Sequence, residues 1–406
     1  MIETVGAYRP SRAAWVTTLA YFAAFVALGL SHASLGPTLV SLAAQVGVGL
    51  VQISYGLSAR SAGYLIGSVL GGRLYDAVKG HPVVAAMLAL IAIGLAALPM
   101  APGIAVLVAV LFGLGMAEGA LDVGVNTLVV WVHRRNISPY MNALHFFFGL
   151  GAFLSPLIVA QAVRLGGGIR AAYWVLAALM LPVAAAIARV PSPSAEDRTG
   201  ETPAEPGAQV HARGNDALLL FLLPLFFFLL VGVEGSFGNW IATYAQAMGL
   251  GDVTTAAYLT SAFWGALTLG RLLSVPLAVR FTPRQVLAVD LAGCLLSVGV
   301  LLAWPGVRVA TWVGTFGAGL CMASAFPTSL SLAERHLRIT GTITSLFFVG
   351  GSLGGMALPW IIGQLFERIG PSVTIGAMAT ALTLCIAVFG AIVVRTRGQG
   401  GESRYG

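Results

Sequence analysis

Charge is what this chain has least of. Asp, Glu, Lys and Arg make up 9% of its 406 residues, against about 25% in ordinary soluble domains. Such a chain cannot cover itself with a solvated surface, which excludes a soluble globular protein. Cysteine is nearly as scarce: Cys294, Cys321 and Cys385 all fall in apolar stretches, leaving neither a disulfide framework nor a metal-ligand spacing. No Gly-Lys-Ser or Gly-Lys-Thr phosphate loop precedes a helix, which argues against ATP-driven work. No nucleophile, base and orienting group can be assembled from so few polar residues, so an enzyme is not expected. The net charge of +7 comes from basic residues scattered singly between apolar segments, a membrane-topology pattern that gives nucleic acid nothing to bind. The first apolar stretch, Trp15 to Leu42, is too long for a signal-peptide core and reads as a retained anchor.

What the chain has instead is hydrophobic length: 58% of it is apolar. A helix needs about 20 apolar residues to cross the roughly 30 Å hydrocarbon layer. Twelve segments qualify, centred near residues 27, 67, 91, 117, 150, 179, 231, 267, 295, 321, 353 and 383. Between the sixth and seventh lies Pro191 to Asn215, rich in Pro, Ser, Glu, Gly and Arg, which reads as a flexible linker. The expected architecture is all-α: a six-helix half over 1–190, a cytoplasmic linker over 191–215 and a second six-helix half over 216–406. With both termini in the cytoplasm, all but five of the 22 Lys and Arg residues fall on the cytoplasmic side. The five are Arg60, Arg164, Arg170, Arg308 and Arg368, and this bias sets the orientation, as in a bacterial inner membrane.

The halves repeat. Gly67-Ser-Val-Leu-Gly-Gly-Arg-Leu74 reappears as Gly265-Ala-Leu-Thr-Leu-Gly-Arg-Leu272, and Gly151-Ala-Phe-Leu-Ser-Pro156 loosely as Gly354-Gly-Met-Ala-Leu-Pro359. Duplicated halves are a transporter architecture, with the substrate held between them near the midplane.

Polar residues inside the apolar segments are the candidates for chemistry. Glu118, Asp122 and Asn126 are four apart in the fourth segment, so they form one stripe on one helix face. An acid at mid-bilayer costs roughly 2.5–3.5 kcal/mol on insertion scales, so this face must meet water or a polar partner. Glu118 and Asp122 read as proton-coupling groups with interacting titrations; the structural reading is an acid satisfied by bonds between helices. Glu234, surrounded by Gly232, Gly235 and Gly238, is the second half's acid farthest from helix ends, and reads as coupling or substrate-binding. Asn239, Trp240 and Trp264 offer an amide and rings of the kind that hold sugar hydroxyl edges and C–H faces, although tryptophans also furnish interfacial belts. His32 and His145 are either satisfied intramembrane histidines or hydroxyl ligands, and His145 lies at a depth that could reach Asp122 or Asn126. Gly72, Arg73, Asp76 and Arg271 read as gate parts that hold one end of the bundle shut.

The layout, together with Gly72-Arg-Leu-Tyr-Asp-Ala-Val-Lys-Gly80, resembles the major facilitator superfamily, with a gap of eight residues between the glycines where seven is usual. Within it the chain is similar to the fucose:proton symporter family, including its glucose and mannose branch and the related sodium-dependent glucose transporters. The stretches carrying this are Gly113-Leu-Gly-Met-Ala-Glu118-Gly-Ala-Leu-Asp122, Asn142-Ala-Leu-His145-Phe-Phe-Phe-Gly-Leu-Gly151 and Gly232-Val-Glu234-Gly-Ser-Phe-Gly-Asn239-Trp240. The resemblance implies a coupling role for Glu118 and substrate contacts in the stretch from Asn142 to His145. His32, five residues before Pro37, stands where the fucose symporter has an aspartate, and His145 where it has a glutamine, which puts fucose itself in doubt.

The expectation is a monomeric transporter in the lipid bilayer that takes up a glucose-type hexose with protons by alternating access, with no cofactor and with Na⁺ as the alternative coupling ion. Proton-driven drug or metabolite efflux is the rival within transporters. A non-transporting receptor is the rival of another class, and the short linker and tails leave it no signalling domain.

Overall fold

Hydrocarbon offers no partner to a bare backbone N–H or C=O, so each apolar segment closes its own hydrogen bonds as a helix. The computed structural model describes residues 11–133, 137–193, 216–337 and 341–397. Of the linker expected from Pro191 to Asn215, all but 191–193 lies outside the described residues, as do 1–10 and 398–406 at the chain ends. In the first half the helices are α1 (Arg12–His32), α2 (Leu35–Val46), α3 (Leu50–Ala77), α4 (Gly80–Ala97), α5 (Ile104–Val132), α6 (Ser138–Arg164) and α7 (Gly168–Arg189). The second half has α8 (Ala217–Ala247), α9 (Val253–Arg280), α10 (Pro283–Ala303), α11 (Arg308–Met322), α12 (Ala325–Glu334), α13 (Gly341–Ile369) and α14 (Ser372–Arg397). Among the described residues there is no strand.

Two pairs of these helices are single passages with a break. α1 gives way to α2 at Ala33–Ser34, and α11 to α12 at Ala323–Ser324. Each break is followed, three residues after its serine, by a proline, Pro37 or Pro327. A proline there cannot donate to the carbonyl four residues back, so the helix loosens just before it. Counting each broken pair once gives the twelve passages expected. α3 and α9, the repeat partners, are the two long helices too polar to qualify as spans on composition alone.

Contacts between helix ends define two faces. On the face that holds residues 193 and 216, Thr18 meets His133, His81 binds Tyr21, Val190 and Ser192, and Arg395 pairs with Asp216 at the start of α8. We call this the linker face and the other the far face. Asp216 caps α8 by accepting from the Leu218 N–H. The Arg395 hydrogen bond, first, and that backbone bond hold its carboxyl below the ordinary aspartate range, against a smaller opposing push from burial.

α3 and α5 run parallel and touch along their backbones. Cβ atoms at Gly63 and Gly67 would collide with the Phe112 and Met116 carbonyls, and one at Gly115 with the Arg60 carbonyl. This is the small-residue packing by which membrane helices approach closely where lipid gives no hydrophobic drive between them. The close approach brings the side chains of α3 within reach of the acidic stripe on α5.

Candidate functional site

The acidic stripe meets a second stripe. Arg60 and Tyr64, four apart on α3, face Glu118 and Asp122, four apart on α5, and each residue pairs with its opposite number. Arg60 donates from Nε to Glu118 Oε2 at 2.9 Å and from Nη2 to Oε1 at 2.5 Å. Its remaining bonds go to the break in the first passage, from Nη2 to the Ser31 carbonyl at 3.0 Å and from Nη1 to the His32 carbonyl at 3.1 Å. Ser31 Oγ also donates to Glu118 Oε1 at 2.5 Å. Arg60 therefore corrects the topology reading: it is 7% exposed, inside the bundle, and is no far-face charge. The other four far-face arginines lie at the far-face ends of α6, α7, α11 and α13, as expected.

Glu118 is 1% exposed. It lies in a closed, bidentate ion pair, where a path-facing acid repelled by Asp122 was expected. Asp122 is different. It accepts from the Tyr64 hydroxyl and from Asn126 Nδ2 at 2.9 Å, has no cationic partner among the described residues, and is only half-buried.

The pair leads to the second half through His32, whose ring lies 5.6 Å from both Phe148 on α6 and Trp264 on α9. Trp264 is buried, and its indole N–H has no acceptor among the described residues. Glu234 on α8 is half-buried, accepts no hydrogen bond among the described residues, and lies within electrostatic range of Arg271. Arg271 reaches across the halves to the His145 carbonyl at 3.4 Å. His145 is exposed and its ring packs on Phe25, 5.8 Å away; its bond to Arg271 runs through its backbone carbonyl, and no hydrogen bond among the described residues joins it to Asp122 or Asn126. Asn239 is half-buried and donates to the Gly235 carbonyl of its own helix. Asn142 is exposed on α6, one turn closer to the linker face than His145.

Two expected site residues, Trp240 and Arg271, are placed elsewhere. Trp240 is fully buried, stacked on Phe366 at 5.5 Å and packed against Gly363 at the far face. It belongs to the far-face seal. Arg73 and Asp76 are exposed at the linker-face end of α3, beside the half-buried Gly72. Arg271, grouped with them on sequence, lines the space between the halves. Asp290 on α10 is an intramembrane acid that sequence reasoning passed over; it accepts from Ser324 Oγ, at the second break, at 2.5 Å.

The space between the halves is shut at the far face. There Gln161 and Arg164 bind the Tyr258 hydroxyl at 2.7 and 3.3 Å, Glu367 accepts from the Leu50 N–H at 2.6 Å, and Gln364 donates to Val51 and Ser54. At mid-depth Ser261 binds the Phe153 carbonyl at 2.8 Å. Farther toward the linker face, the one hydrogen bond joining the halves among the described residues is that from Arg271 to His145.

The family model described as Major Facilitator Superfamily matches residues 17–359. The chain is 33% identical over 360 residues to Sodium-dependent glucose transporter 1 of Xenopus laevis, covering 83% of this chain and 73% of that protein. With the Homo sapiens protein of the same name it shares 30% over 376 residues, 84% and 72% of the two chains. Human Major facilitator superfamily domain-containing protein 4A is 27% identical over 469 residues, 92% and 89% of the two. Among solved structures, the nucleoside transporter NupG superimposes with a TM-score of 0.70 at 14% identity, over 95% of this chain and 99% of that one. A bacterial homolog of the human lysosomal transporter Spinster, in an inward-facing and unoccupied conformation, gives 0.68 at 13%, over 95% and 96%.

Proposed function

Because the chain belongs to the Major Facilitator Superfamily, whose members work as membrane transporters, we propose that it is a cation-coupled monosaccharide symporter that takes up a glucose-type hexose by alternating access. The observation that carries this reading is the lining between the halves. His32 meets the Trp264 ring edge across the halves, and Arg271 beside Glu234 reaches the His145 carbonyl of the first half. Asp122 and Asn239 add a half-buried carboxyl and amide within the spans, and the halves are joined at the far face. Carboxyls, amides and imidazoles hold hydroxyl edges, and an aromatic ring supports a C–H face. The names of the sodium-dependent glucose transporter relatives support a sugar as the solute.

In this reading the linker face is cytoplasmic, which the basic residues favour, and the conformation is inward-open. Asp122 and Glu234 exchange the coupling ion. Glu118 is given a different part from the one its sequence position suggests: bound to Arg60, it ties the break in the first passage to α3 and α5. Protonation of Asp122 would remove the one charge on the stripe that no cation among the described residues neutralises and lower the cost of closing that space around sugar. Arg73 and Asp76, with Gly72, shut the cytoplasmic end in the opposite conformation.

A sodium ion in place of the proton is the second reading, favoured by the relatives' names. Uptake of a labelled hexose panel into proteoliposomes under imposed pH or Na⁺ gradients tests both. Accumulation driven by the pH gradient alone supports proton coupling, and accumulation driven by Na⁺ alone replaces it. Accumulation of no hexose under either gradient refutes sugar symport and leaves efflux of another metabolite. Glu234→Gln should raise the KM for sugar, since that acid lies in the lining.

A further inference from the structure

α3 starts without a cap of its own. Its N-cap position is Gly49, which has no side chain to accept from the first-turn N–H groups. The acceptor comes from the other half: Glu367, in the last turn of α13, takes the Leu50 N–H at 2.6 Å. A carboxylate in the last turn of its own helix opposes that helix's dipole, whereas at the start of another it is favoured. Glu367 thus sits where α13 gains nothing from it and α3 gains a cap. The same turn of α13 supplies the rest of the grip. Gln364 Nε2 donates to the Val51 carbonyl at 3.2 Å and to Ser54 Oγ at 3.1 Å, Gly363 lies so close to Ser54 that a Cβ would collide with it, and Phe366 stacks on Trp240.

We propose that Glu367 is a gating residue of the far face: its carboxylate caps α3 only while that gate is shut, so opening must uncap α3. The strength of this borrowed cap then sets the ratio of the two conformations. The inference rests on the alternating-access reading above, but its test needs no transported solute.

The measurement is the distance between labels at Leu165→Cys and Val309→Cys, in different halves at the far face and 86% and 71% exposed, in proteoliposomes without sugar. The parent should give mostly the short distance. Glu367→Ala should raise the long-distance population roughly two- to thirtyfold, the equilibrium equivalent of losing one N-cap. Glu367→Gln keeps an acceptor oxygen without the charge, and should fall between the two. Gly49→Asp gives α3 a cap that survives opening, and its Cβ would collide with the Glu367 carboxylate in the shut state, so on both counts it should favour the open state by itself. Adding Glu367→Ala to it should then change little, because the carboxylate is already displaced and the cap already supplied. An unmoved distance distribution in both Glu367 variants, with the fold retained by circular dichroism, overturns the proposal; so does an undiminished effect of Glu367→Ala in the Gly49→Asp background. Distances that shift in a protein that moves no sugar refute the solute assignment alone, and sugar flux with unmoved distances refutes the latch alone.

Discussion

Removing Arg60 leaves a carboxylate that is 1% exposed without its counter-ion and strips a donor from two carbonyls at the break in the first passage. Breaking a buried pair from one side typically costs about 3–5 kcal/mol, and Arg60→Met should lose that much in unfolding free energy. Glu118→Gln strands the guanidinium instead, and should lose about 3 kcal/mol, the lower end of the same range. The double variant Arg60→Met with Glu118→Leu buries no charge. Its remaining deficit is the loss of donors to the Ser31 and His32 carbonyls and of the acceptor for Ser31 Oγ, together about 1.5–4.5 kcal/mol at about 0.5–1.5 each, so the double should lose less than the sum of the two singles. Reversible unfolding in mixed micelles, followed by circular dichroism, gives all three values as a double-mutant cycle. If Arg60→Met stays within about 0.5 kcal/mol of the parent, or if the double loses the sum of the singles, the pair does not organise the first half. In that case Glu118 returns as a candidate for free proton exchange.

Asp122→Asn should abolish gradient-driven accumulation of sugar while sparing counterflow, which needs no coupling ion; retained accumulation would remove Asp122 from the coupling role. Gly115→Val places bulk on the Arg60 carbonyl and should destabilise the protein by about 1–3 kcal/mol or more, the range for overpacking, as the same unfolding assay would show. Because the Asp216 carboxyl is held below its ordinary value, its clasp on Arg395 stabilises the fold fully above the ordinary aspartate pKa of about 3.9 and loses that contribution as pH falls through the lowered value. The melting temperature of Asp216→Asn should accordingly fall below the parent's at pH 7 and converge with it in acid.

The passages were legible because an apolar segment of that length has one stable solution in a bilayer. The acidic stripe was legible because a spacing of four means one helix face. What sequence periodicity could not show was the partner across the helix pair. Arg60 was read as a far-face charge because positive residues are assigned by topology, yet it lies ten residues into α3, about 15 Å of helix at 1.5 Å per residue. A signal was present: Arg60, Gly63, Tyr64 and Gly67 share a face, and a cation on the face that carries close-packing glycines points at a neighbouring helix. Trp240 was misjudged for the opposite reason, since two residues adjacent in sequence, Asn239 and Trp240, lie on different sides of their helix. Asp290 lies seven residues into α10, and its partner at Ser324 becomes visible only once the α11–α12 break is known.

The guanidinium and carboxylate of Arg60 and Glu118 sum to zero, so the membrane potential exerts no net force on them however far the first half travels. A full elementary charge crossing 100 mV is worth about 2.3 kcal/mol. In the proposed cycle that electrical work falls, in the first half, on Asp122, four residues from Glu118. With a neutral solute and a monovalent cation bound there, the loaded stripe crosses uncharged and the empty one crosses negative. Voltage then acts on the return stroke: an interior-negative membrane drives the emptied acid outward and primes the next cycle.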